Sequence, residues 1–176
     1  FRHVADNGYP EGALALGDLL AATAMAGRGD PARDAAAKAV GWYTSAANAG
    51  VALAQFKLAN ALFSGAGAER DLPKAEQWYM RAAQQGLADA QYVLGVWKSG
   101  GVAGPKDPVD GYRWLLLAER QGESNAAKVR QRVRDSLSPE DRRAAEMAAD
   151  AFRAKAERPR NPAAEEAPLL RPMKGS

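Results

Sequence analysis

The chain has 176 residues, 47% of them hydrophobic and 26% charged, enough apolar content for one globular unit with a real core and too much for a wholly disordered protein. Its 24 basic and 21 acidic residues leave a net charge of +3, an even balance that does not point to a nucleic acid or an anionic membrane as partner. Cysteine is absent, which excludes disulfides, thiolate metal sites and a cysteine nucleophile together, and no apolar run reaches the roughly 18 residues that a bilayer span requires.

In chain order, the first segment opens at Phe1 without a basic-then-apolar leader and places Val4 and Ala5 before Gly8, then Leu16-Gly17 after it. GRGDPARDAAAK follows, where Gly, Asp and Pro predict an inter-unit loop and Asp30 a helix cap ahead of Pro31. Next comes AVGWYTSAANAGVALAQFKLA, and 36 residues later AEQWYMRAAQQGLADAQYVLG. Trp42, Trp78 and Trp114 share that spacing, as do Gly50, Gly86 and Gly122, and Ala54, Ala90 and Ala126. The N-terminal copy is the same frame at a distance of 42, its extra residues falling in the predicted loop.

Each unit reads as two helices. Pro73 to Gln85 puts Trp78, Ala82 and Gln85 on one side, predicting that the tryptophans pack inward, and Gly86 ends the helix in the left-handed conformation that lets the chain reverse. A second helix, from about Leu87 to Trp97, carries Ala90, Leu94 and Trp97. Asp107-Pro108 and Ser138-Pro139 repeat the pattern of a capping side chain before a proline at the first helical position. In KVRQRVR, Lys128, Arg130, Arg132 and Arg134 read as a solvated capping face, with Val129 and Val133 inward. LSPEDRRAAEMAADAFRAKAE reads as one further helix that closes the stack, with Ala145, Met147, Ala148, Ala151 and Phe152 on its apolar side.

A hairpin of about 36 residues cannot bury its own apolar stripe, so each stacks on the next and the same residues recur because the same contact recurs. The expected fold is therefore all-α, a right-handed α-solenoid of antiparallel helix pairs over 1–137, with units at about 1–38, 39–74, 75–110 and 111–137. A capping helix over 138–157 and a Pro-rich extended tail over 158–176 complete it. In the tail, Leu169, Leu170 and Met173 are expected to contact this molecule or a neighbouring subunit.

AEQWYMRAAQQGLADAQYVLG followed by SGGVAGPKDPVDGYRW resembles the Sel1-like repeat, a relative of the tetratricopeptide repeat, over about Phe1 to Val133. The resemblance implies a noncatalytic scaffold or adaptor that holds a peptide or partner protein on its concave face, in a bacterial envelope or signalling assembly. Some Sel1-like proteins are associated with peptidoglycan or β-lactam binding, which leaves a cell-wall binding protein or hydrolase as the alternative. Those members are cysteine-rich, and this chain has neither cysteine nor a Ser-x-x-Lys box. A start that looks processed tilts the expected compartment from cytoplasm toward periplasm, and more repeat sequence is expected before Phe1.

No catalytic constellation is present: His3 is the only imidazole, the glycine-rich turns lack the phosphate-loop pattern, and Asp89, Asp107, Asp110 and Glu119 form no acid–base pair. No metal or cofactor is expected. The candidate partner-binding residues lie two, six and nine places before each repeat glycine, opposite the inward side of the first helix: Gly41, Thr44 and Asn48; Gln77, Met80 and Gln84; Arg113, Leu116 and Arg120. That series suits an extended segment ending in apolar and acidic residues.

Overall fold

The structure is a computed structural model and describes residues 9–154. His3, Gly8, and the tail residues Leu169, Leu170 and Met173 lie outside the described residues. Eight helices and no strand occur among the described residues: α1 (Pro10–Ala26), α2 (Gly29–Asn48), α3 (Ala52–Ser64), α4 (Leu72–Gln84), α5 (Ala88–Gly100), α6 (Pro108–Arg120), α7 (Ser124–Asp135) and α8 (Pro139–Asp150). They stack as a right-handed α-solenoid of antiparallel pairs.

The reversals are written by glycine. Gly50, Gly86 and Gly122 have φ of 96°, 93° and 89°, and around each the backbone closes the same two bonds. Val51 N–H donates to Ala46 at 3.1 Å and Gly50 N–H to Ala47 at 3.1 Å, with the matching pairs at Leu87 and Gly86 and at Glu123 and Gly122. That double closure satisfies carbonyls a helix end would otherwise leave open. The starts depend on caps: Asp107 and Ser138 accept from the backbone of Asp110 and Asp141 as expected, and Asp71 does the same for Lys74.

At Asp30 the expectation fails. Helix α2 begins at Gly29 with Arg28 as its N-cap, and Asp30 instead pairs with Arg33 at 3.3 Å. The residues expected to form a loop extend α2 to 20 residues, because ARDAAAK is strongly helix-forming and Pro31 is tolerated in a first turn.

Successive units meet through small residues. A Cβ on Gly17 would stand 2.6 Å from the Tyr43 ring, and one on Gly95 would stand 2.5 Å from Leu115 Cγ, so each glycine admits a large side chain of the next unit's first helix. Ala59 holds the equivalent place and packs in one core cluster with Tyr79. The residue after the tryptophan is thus buried in every unit: Tyr43 is 6% exposed, Tyr79 1% and Leu115 0%. Trp42 and Trp78 are half-buried, contrary to the inward packing expected of them, because the neighbouring helix approaches one position further round.

The last helix departs from the stacking rule. α3 packs on α4 and α5 on α6, whereas α8 packs on α6 in preference to α7. The position that carries Gly17, Ala59 and Gly95 carries Gln131 on α7, exposed and donating to Asp135 at 3.0 Å. α8 turns back onto the face formed by α2, α4 and α6. It buries Ala145 and Ala149, while Met147, expected on the apolar side, is 72% exposed and Ala148 and Ala151 also face solvent. The helix stops at Asp150, short of the expected boundary.

Candidate functional site

The face of α2, α4 and α6 is the one on which the candidate residues fall. On α2, Asn48 is exposed and Thr44 half-buried, its hydroxyl donating to Val40 O at 2.8 Å. On α4, Gln77 and Gln84 are exposed, and Met80 is half-buried against the central core.

On α6 the surroundings differ. Arg113 is held to Asp110 at 2.6 Å while its guanidinium lies 4.2 Å from the Trp114 ring centre. Leu116, expected to face outward, is half-buried in the cluster of Tyr112, Leu137 and Ala145, because α8 lies over it. Arg120 pairs with Asp150 of α8 at 2.6 Å, and the Tyr112 hydroxyl donates to Glu146 at 3.2 Å. Beyond the helix, Phe152 meets Trp114 edge-on at 5.8 Å. Trp114, only 1% exposed, is consequently the one repeat tryptophan of the three that is fully covered.

A cavity of about 240 Å³ opens where these parts meet, lined by Met80, Gln84, Arg113, Trp114, Phe152 and Arg153. Its floor is apolar and two arginines contribute to its wall. Phe152 and Arg153 were not among the sequence candidates, although Ala145, Ala149 and Phe152 recur at the four-then-three spacing of a helix face. A wider cleft of about 790 Å³ lies between the end of α1, the start of α2 and the turn after α3, lined mainly by alanine and glycine. It contains no convergent set of polar groups.

The shifted groups owe their shifts to burial and to pairing. Burial pushes the Tyr79 hydroxyl up to about 12, and burial together with Asp18 raises that of Tyr43 further. The hydrogen bond to Glu76, 2.6 Å away, raises Lys98. Arg130, expected in the solvated face, is half-buried and paired with Glu119. Among the described residues no cluster of histidine and carboxylates could hold a metal, and no helix is long and apolar enough to cross a membrane.

The Sel1 repeat description matches residues 10–51, 52–87 and 88–123, which span α1–α2, α3–α4 and α5–α6. Among solved structures, a Sel1 repeat protein from Oxalobacter formigenes is similar at 29% identity and a TM-score of 0.63, covering 74% of this chain and 93% of that one. A protective antigen present in uropathogenic Escherichia coli strains, displaying an SLR fold, is similar at 24% identity and a TM-score of 0.64. The likeness covers 99% of this chain and 44% of that antigen. No curated protein matches the sequence. With three repeats matched in register and the helix pairs stacked as described, the chain belongs to the Sel1 repeat family.

Proposed function

We propose that the chain is a noncatalytic scaffold that holds a peptide or helix of a partner protein against the open face of α2 and α4, in a bacterial envelope or signalling assembly and, by preference, in the periplasm. Sel1 repeat proteins generally mediate protein–protein interaction, which supports the class. The observation that carries the site is the contrast among the repeat tryptophans. Trp114 is covered by Phe152, whereas Trp42 and Trp78, at the same register, stay half-buried beside Thr44, Asn48, Gln77, Met80 and Gln84. A surface that the molecule covers fully in one unit and only in part in two others, where Arg81 lies 4.5 Å from the Trp78 ring centre, is suited to a partner.

The test places a photo-crosslinking residue at Gln77 or Gln84, and, as controls on the second helices, at Leu53 or Asp89. All four positions are exposed. In the source cell, one partner should crosslink from 77 and 84 and not from 53 and 89. The reverse pattern would assign binding to the outer helices.

A further inference from the structure

Helix α8 sits on α6 as a ligand would. It does not take the next place in the stack, on α7, where Gln131 stands in the register of Gly17, Ala59 and Gly95. Its hold is Ala149 in the central core, Ala145 beside Tyr112, a half-buried Phe152, and single polar contacts from Glu146 and Asp150. It covers Tyr112, Trp114 and Leu116. The three residues Ser136 to Ser138 join it to α7, and Leu137, 9% exposed, anchors that joint beside Tyr112.

We propose that the α6 face is a helix-binding site closed in cis by α8, and that it takes a partner helix of the chemistry α8 displays. That chemistry is two alanine-sized residues four apart, a carboxylate directly after each, and a phenylalanine three places beyond the second. The small residues let the helix lie close over Leu116, the phenylalanine covers Trp114, and the carboxylates meet the Tyr112 hydroxyl and Arg120. Residues at the same register on α4 differ: Gln84 stands for Arg120, and Glu76, tied to Lys98, stands for Tyr112. The acidic helix is therefore specific to α6. This proposal rests on the scaffold reading, but its test uses only the chain's own segment, so a missing partner and a missing site give different results.

The probe is a fluorescein-labelled peptide of residues 138–154, titrated by anisotropy into the full chain and into Ala149→Glu, which puts a charge at a position 2% exposed and expels α8. A closed site lowers apparent affinity by the fraction of molecules that are open, so Ala149→Glu should bind about tenfold or more tighter than the parent. A peptide carrying Asp150→Arg should lose binding to that variant and regain it when the variant also carries Arg120→Glu. No saturable binding to a folded Ala149→Glu chain, or binding indifferent to the charge exchange, overturns the proposal. Should Ala149→Glu fail to fold, native-state hydrogen exchange of the parent decides. Amides of α8 must then open while α4 to α6 stay protected, and exchange of α8 only by global unfolding overturns it.

Discussion

The side-chain amide of Gln85 donates to Oε1 of Gln55 at 2.8 Å, and one unit later Gln121 donates to Gln91 at 2.6 Å. Each buried glutamine also donates backward, Gln55 to Ala47 O at 3.2 Å and Gln91 to Ala83 O at 3.1 Å. One amide thus joins three helices, and the joint repeats with the sequence. An amide buried in an apolar stack is tolerated because its donor and acceptor are both engaged.

Gln91→Leu removes that joint and leaves the Ala83 carbonyl without its side-chain donor. A loss of about 1–3 kcal/mol is expected in urea unfolding. In a double-mutant cycle of Gln91→Ala with Gln121→Ala, a coupling of about 0.5 kcal/mol or more should appear. Additive losses would show that the 2.6 Å contact does not tie the units together.

Close approach and backbone strain can be separated at two glycines. A Cβ on Gly111 would stand 2.2 Å from Ser99 Oγ and 2.8 Å from Gly95 O, and the carbonyl cannot rotate aside. Gly111→Ala should therefore cost about 1–3 kcal/mol or more by overpacking and shift α6 away from α5. At Gly122, with φ of 89°, a Cβ meets nothing within 4 Å, so Gly122→Ala should show only the left-handed penalty of about 1–2 kcal/mol. Chemical melts with crystal structures of both variants check the contrast.

Tyr79 gives an alkaline signature. Its hydroxyl is raised from 10.0 to about 12 by burial, so the folded state favours the neutral form. The stability it contributes is complete below pH 10, declines above it, and is lost as pH rises through about 12. Tyrosinate absorbance should show Tyr79 titrating late and Tyr43 later still, and Tyr79→Phe should remove the earlier of the two. Ionisation of Tyr79 at the ordinary phenol value would contradict its burial.

At the opposite end of the scale stands Asp71, whose carboxyl the Lys74 side chain and backbone N–H hold below the ordinary value. Stability from this cap is present above the ordinary carboxylate pKa and is lost as pH falls through the depressed one. Asp71→Asn, which keeps an acceptor but cannot titrate, should flatten the acid limb of a melting-temperature profile. An unchanged acid limb would show that the cap does not couple to folding.

Much of this fold is legible locally. Gly50, Gly86 and Gly122 mark turns because positive φ is a property of one residue, and Asp107 and Ser138 mark starts because a cap reaches only three residues ahead. The relative depth of Trp42 and Tyr43 is not legible in that way. Adjacent residues on a helix point in different directions, so the helix packed against them decides which lies deeper. Tyr43 is the buried one because Gly17 of another helix makes room for its ring, which no periodicity within α2 reveals.

The candidate face was legible in the same partial way. Gln77, Met80 and Gln84 follow from the register of α4 alone. Leu116 and Arg120 share that register but lie under or against α8, which packs on α6 in preference to α7. That contact is nonlocal, and the spacing of residues on α6 carries no trace of it.

The residue at 131 also bears on assembly between molecules. Repeats that stack on one another within a chain present similar surfaces at both ends, and a surface that accepts the next unit accepts the first unit of another copy equally well. Such a head-to-tail contact does not close on itself and grows into filaments. On α7 the glycine or alanine that would receive an incoming helix is replaced by Gln131, flanked by exposed Lys128, Arg132 and Arg134. A second copy docking on α7 would therefore meet a bulky amide, bonded to Asp135, and three cations where every other unit offers a glycine or alanine.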